Sequence, residues 1–83
     1  WQKTGSGWQA VSVPIGEGMV DFLRFFRFLR QQGIRVPMSL HMEYPLGGAE
    51  NGQTRISIDP SAVFQAMKRD AQKVRELWER SAE

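Results

Sequence analysis

The sequence predicts an α/β fold in the order strand, helix, strand, helix, and three observations carry that reading. The stretch Val36 to Pro45 alternates with a period of two, placing Ser39, His41 and Glu43 on one face and Met38, Leu40 and Met42 on the other. Within Trp8 to Ile15, Val11, Val13 and Ile15 alternate with Ala10, Ser12 and Pro14. Two longer stretches repeat apolar residues at spacings of three and four, the helical period. In both strands one face is polar or small. A doubly wound sheet is covered by helices on both faces, and its strands are nearly continuous apolar runs. A barrel carries its helices only outside. The chain therefore reads as a βαβα fragment, two units of a (β/α)8 barrel of about 250 residues.

In chain order, Trp1 to Gly7 is polar and contains glycine, so it reads as a loop leading into the Trp8–Ile15 strand. Gly16-Glu17-Gly18 breaks that strand. Asp21 is a good N-cap for a helix to Gln32, with Phe22, Phe25, Phe26 and Leu29 on its apolar side. Gly33 stands where a left-handed C-cap belongs. Ile34 and Arg35 lead into the second strand, and the crossover fits a right-handed parallel βαβ unit. Pro45 to Ile58 is a glycine-rich loop. Asp59-Pro60 is a helix start, an N-cap followed by proline at the first helical position. The final helix runs to about Ser81. Its predicted apolar stripe is Val63, Met67, Ala71, Val74 and Trp78, with Phe64 and Leu77 beside it, and Lys68, Arg69, Lys73, Arg75, Glu76 and Arg80 opposite. Both stripes are expected to cover Val11, Val13, Met38, Leu40 and Met42.

The bulk numbers narrow the classes. Eighty-three residues make one small domain with little surface to bury. The 11 basic residues, eight of them Arg, stand against 9 acidic ones and form no basic tract, so no nucleic-acid partner is expected. With no cysteine there is no disulfide framework and no thiolate metal site, which fits a reducing, cytoplasmic setting. No apolar run approaches the ~20 residues of a membrane span, so no membrane partner is expected. The abrupt opening at Trp1 reads as that of a fragment.

The chemistry-bearing residues lie on the second strand. Ionisable groups on an inward face at a strand's carboxyl end are how α/β barrels build active sites. His41 is the only histidine, and it reads either as a hydrogen-bonded structural residue or as a ligand or acid/base. Glu43 shares its face and, if buried, needs a metal, a cation or water beside it. Gly16, Glu17 and Gly18 read as a plain turn, or as a loop whose N–H groups approach a substrate oxyanion or phosphate near a helix N-terminus. Arg24, Arg27 and Arg30 read chiefly as a solvated helix face. Trp1 and Trp8 would stack on a sugar or plug the rim of the core.

These residues carry a family resemblance. Val13 to Phe22, with its Pro-Ile-Gly-Glu-Gly-Met-Val-Asp-Phe run, resembles the "PLGEGxVDF" segment of the sugar phosphate isomerase/epimerase family. Gly33 to Tyr44 is similar to that family's last barrel strand, and Ala66 to Asp70 to its closing helix. The family has the xylose isomerase-like TIM barrel, shared with the endonuclease IV group. The resemblance spans the whole chain as the last two βα units. It implies a divalent metal ion (Mn, Mg, Zn or Co) held by Glu, Asp, His and Glu ligands, and proton-transfer isomerisation or epimerisation of a sugar or sugar phosphate. The other ligands would precede Trp1, so these residues alone should be inactive. The slot of the family's final Glu falls on His41. Either His41 replaces that ligand, or Glu43 takes the role from the next inward position, or metal binding is altered. The expected site is thus Glu43 and His41 for catalysis and metal, and Gly16, Glu17 and Gly18 for substrate. The expected partner is the remainder of the barrel, or a second copy recruited through the sheet edges. The other reading is a small βαβα module that binds acidic partners without catalysis.

Overall fold

The computed structural model describes all 83 residues as a small mixed α/β fold. Two short antiparallel strands, β1 (Gln2–Thr4) and β2 (Gly7–Gln9), are followed by helix α1 (Phe22–Gln31), a 3₁₀ turn at Ala49–Asn51 and helix α2 (Pro60–Arg80). The expected loop at Trp1 to Gly7 is a hairpin. Gly5-Ser6 makes its two-residue turn, and the register pairs Gln2 with Gln9, Lys3 with Trp8 and Thr4 with Gly7. Trp1 and Trp8 stay exposed.

The two expected strands are the main correction. Of Trp8 to Ile15 only Trp8 and Gln9 belong to a strand, and Val36 to Pro45 contains none. No parallel βαβ pairing forms. From Arg35 to Pro45 not one backbone N–H or C=O takes part in a backbone–backbone hydrogen bond, nor does any from Ala10 to Val13. The reason is physical. Pro14, Pro37 and Pro45 cannot donate to a ladder, and a bare two-stranded sheet is marginal in water. The alternation nonetheless survives at the carboxyl end of the second segment. His41, Glu43 and Pro45 are exposed, Met42 is half-buried, and Tyr44 and Leu46 are buried.

Both helices obey their caps. The Asp21 carboxylate accepts the Arg24 N–H at 3.0 Å. Gly33 takes φ 64°, and the Ile34 N–H reaches the Leu29 carbonyl while the Gly33 N–H reaches that of Arg30, a Schellman ending. The Asp59 carboxylate accepts the Ser61 N–H at 2.8 Å, with Pro60 at the first position of α2.

The helices meet near their C-termini. Phe26 sits edge-on to Trp78 at 5.7 Å between ring centroids. The Arg30 guanidinium lies 3.8 Å over the Trp78 ring and donates at 2.7 Å to both the Ser81 hydroxyl and the Trp78 carbonyl. Arg30 is therefore a clamp between helices, not part of a solvated row with Arg24 and Arg27. A second cluster joins Tyr44, Leu46 and Ala66, flanked by Met42, Ala49, Ile58 and Val63. The most buried residues of α2 are Ala66, Asp70 and Leu77, and of the expected stripe Val63, Val74 and Trp78 are half-buried. Met67, Ala71 and Phe64 are exposed, Phe64 at 66%. Val11, Val13, Met38 and Leu40 also remain exposed, so the helices cover only Met42 of the five residues they were expected to shield.

The molecule is a slab of 42 × 36 × 18 Å with a radius of gyration of 15.3 Å. A compact chain of this length would have a radius near 12 Å. Its accessible surface is 6832 Å², against roughly 5,000 Å² expected for a folded monomer of 9.5 kDa. Only 7 of 83 residues are buried, so much of the apolar surface lacks protein cover. No helix is long and apolar enough to cross a membrane.

Candidate functional site

A cleft of about 520 Å³ lies between the two extended segments, with α1 on one side and α2 below. Its walls are mostly apolar: Val13, Ile15, Phe22, Phe26, Met38 and Leu40 contribute to them. Few polar groups enter: Gly16 and Gly18 from the turn, Ser39 and His41 from the second segment, and Tyr44 and Asp70. A concave, largely apolar site with a few convergent polar groups is the usual form of a small-molecule pocket.

The structure thus brings Gly16, Gly18 and His41 to one cleft, while Glu17 and Glu43 are exposed and do not line it. The Gly-Glu-Gly turn has a clear local cause. The Glu17 N–H bonds the Pro14 carbonyl at 3.1 Å, which closes a turn with Gly16 third at φ 88°. A side chain at Gly16 would be strained by that φ and would press on the Lys73 Cε, 3.0 Å from where a Cβ would stand. α2 therefore lays an aliphatic lysine stem across the turn. The Glu17 N–H is engaged within the turn and not offered to an oxyanion.

His41 and Glu43 are both exposed, two residues apart on one edge. No three of the chain's His, Asp and Glu side chains come together as a metal site requires. The donor set within these residues does not fit a metal centre by itself.

The most buried polar group is one that sequence reasoning missed. Asp70, in the middle of α2, is only 2% exposed and is the most buried residue of the chain. The Tyr44 hydroxyl donates a hydrogen bond to its Oδ2. Arg69 completes a triangle, with Nε 3.2 Å from Asp70 Oδ1 and Nη2 donating to the Tyr44 oxygen at 3.1 Å. Burial pushes the Tyr44 phenol above its ordinary value, and the hydrogen bond to the Asp70 carboxylate raises it further. The same carboxylate tightens Arg69's hold on its proton. A sequence signal for this group existed: Asp70 falls four residues after Ala66 and seven before Leu77, an acid on the apolar line of a helix. The stripe drawn one residue over, through Met67 and Ala71, hid it.

The loop after Tyr44 is held by its own carboxylate. Glu50 accepts the Leu46 N–H at 2.9 Å and the Gly48 N–H at 2.7 Å. Gly47 and Gly48 take φ 66° and 102°, which aim those amides inward. The amides, that of Leu46 foremost, hold Glu50 below the ordinary carboxylate value.

Compared with protein-family models, curated proteins and solved structures, the chain shows no match in any of the three.

Proposed function

We propose that the chain is the carboxyl-terminal portion of a metal-dependent sugar or sugar phosphate isomerase/epimerase, the last two βα units of a TIM barrel. The observation that carries this reading is the second extended segment. Its backbone from Arg35 to Pro45 has no hydrogen-bonded neighbour. Its polar edge at Ser39, His41 and Glu43 is exposed, while Tyr44 and Leu46 are packed toward α2. Such an extended segment, packed toward α2 at its carboxyl end and unpaired along its backbone, fits a barrel strand whose neighbours lie outside these residues. The uncovered apolar surface and flat shape support the same conclusion.

In this reading Glu43 or His41 supplies one metal ligand and the rest of the barrel supplies the others. When bound, the ion would polarise a ketose or aldose oxygen. Glu43, as a carboxylate at the carboxyl end of its strand, moves the proton on the adjacent carbon. The Gly16–Gly18 turn shapes the sugar site through its backbone. The 83 residues alone are inactive, because one strand cannot assemble the donor set.

The test is deuterium exchange. The complete barrel protein, supplied with Mn²⁺ and a panel of ketoses, aldoses and their phosphates in D₂O, should incorporate solvent deuterium next to the sugar carbonyl. Glu43→Gln should reduce that rate by at least about a hundredfold. No incorporation with any sugar, or an unchanged rate in Glu43→Gln, rejects the reading.

A further inference from the structure

We propose that the groove between the start of the Val36–Pro45 segment and the C-terminal parts of both helices binds a small amphiphilic anion, an alkyl or aryl carboxylate. His41 and Glu43 do not line this groove, and the proposal goes beyond the isomerase reading.

The groove encloses about 780 Å³, and small-molecule sites run to roughly 300–1,000 Å³. Ile34, Val36 and Met38 line it from the chain after α1, and Val74 and Trp78 from α2. Val36 is 63% exposed and Met38 50%, so this apolar surface has little cover within the chain. Strands of a completed barrel would pair with the edges of the segment, in the plane of the sheet. The groove lies between the segment and the helices, so its occupant is not a neighbouring strand.

The charges say what the occupant is. Every charged side chain on the groove is an arginine: Arg30, Arg35 and Arg75. No carboxylate lines it, and the ion pairs of the chain use Arg69, Lys73 and Arg80 instead. Arg30 is held in place by its bonds to Ser81 and Trp78. Those bonds use Nε and Nη2 and leave Nη1 unbonded among the five N–H donors of a guanidinium. The other arginine side-chain hydrogen bonds belong to Arg69, so Arg35 and Arg75 have theirs free. Three like charges around one concavity repel, and an anion among them turns that repulsion into attraction. A guanidinium meets a carboxylate with two parallel hydrogen bonds. A bare anion would leave the apolar side chains wet, and a hydrocarbon would leave the guanidiniums unpaired. An anion with an apolar body satisfies both.

The test is a titration with decanoate, read from the Trp78 indole N–H and the Ile34, Val36 and Met38 methyl resonances. These signals should shift together and saturate with one Kd, and the affinity should fall as salt is raised. Acetate, with the charge and no chain, and decanol, with the chain and no charge, should each bind at least about tenfold more weakly. Arg35→Gln and Arg75→Gln lie at exposed positions outside the Arg30 clamp, so helix content should be unchanged. Each should raise the decanoate Kd about tenfold or more. Val36→Asp, which sets a carboxylate in the groove, should abolish binding.

Decanol binding as tightly as decanoate, or an unchanged decanoate Kd in both arginine variants, overturns the proposal, because the groove would then select no charge. Decanoate binding no tighter than acetate also overturns it, as surface ion pairing alone. So does failure of decanoate to saturate signals that an acidic amphipathic peptide saturates, which would assign the groove to a protein partner. Should an arginine variant lose helix content, the comparison of decanoate with decanol on the parent protein decides. The deuterium exchange test of the isomerase reading is independent of all these outcomes.

Discussion

Two adjacent stretches reverse the roles their composition suggests. Val36 to Pro45 has the alternation of a strand and the side chains of a site, yet its backbone bonds to nothing. Leu46 to Ile58 has the composition of a plain loop, yet it is closed by its own groups. The Ser57 N–H reaches the Gly47 carbonyl at 2.9 Å, that of Gln53 reaches Gly48 at 3.2 Å, and Glu50 gathers the Leu46 and Gly48 amides. The difference is one of range. A loop can satisfy its polar backbone with a carboxylate four residues away. A strand needs a second strand, and no local side chain substitutes for it. The loop is therefore closed by its own groups, and the extended segment's backbone is left without hydrogen-bonded partners.

The largest expected effect is at the joint between the two. Tyr44→Ala removes the ring from the Leu46–Ala66 cluster and strips Asp70 of its phenol partner. The cost should be about 3–5 kcal/mol, most of the stability of a small domain. A urea denaturation midpoint measures it. If the Leu46 and Gly48 amide resonances keep their positions while those of 36–45 collapse, the two regions are independent, and the contrast between them sharpens.

Next comes the loop itself. Gly48→Ala forces a side chain into φ 102° and drives its Cβ into the Gln53 amide. The loss should be about 1–3 kcal/mol, read from the same midpoint. An unchanged midpoint would show that these contacts do not close the loop.

The smallest effect concerns acid. Glu50 is held below the ordinary carboxylate value of 4.5 by the Leu46 and Gly48 amides. A carboxylate whose pKa is lower folded than unfolded stabilises the fold above its unfolded pKa. That contribution is lost as pH falls through the folded value. The Leu46 and Gly48 amide shifts should therefore be constant at neutral pH and titrate below 4.5. In Glu50→Gln the acid-dependent change should vanish. Titration of those amides above the ordinary carboxylate range would contradict the assignment.

The sites differ in how much of them could be read beforehand. The turn at Gly16 was legible because Gly16-Glu17-Gly18 reads as a strand breaker, and Gly16 takes φ 88° within it. The exposure of Glu43 between Met42 and Tyr44 follows from parity, whereas His41 is exposed together with Leu40 and Met38, where alternation decides nothing. The Tyr44–Asp70–Arg69 triangle was not legible. Tyr44 stands 25 and 26 residues before its two partners, and nothing local says that a helical aspartate will meet a tyrosine of an extended segment. Nor was the role of Arg30 legible. Spacing puts it in line with Arg24 and Arg27, and only the approach of Trp78 and Ser81 takes it out of that solvated row.

What the sequence determined by itself was everything that closes within a few residues. Asp21 and Asp59 cap their own helices, Gly33 ends α1, and alternation sets which side of residues 42 to 46 faces inward. These depend on local hydrogen bonds and side-chain periodicity, whose partners are already in the neighbouring turn. The tertiary structure decided which line of α2 is buried, that a charged residue lies on it, and that the two alternating segments remain unpaired. Those outcomes depend on surfaces brought together from distant parts of the chain. Burial rewards whichever face meets a partner, and a strand's backbone is satisfied only where another strand lies beside it.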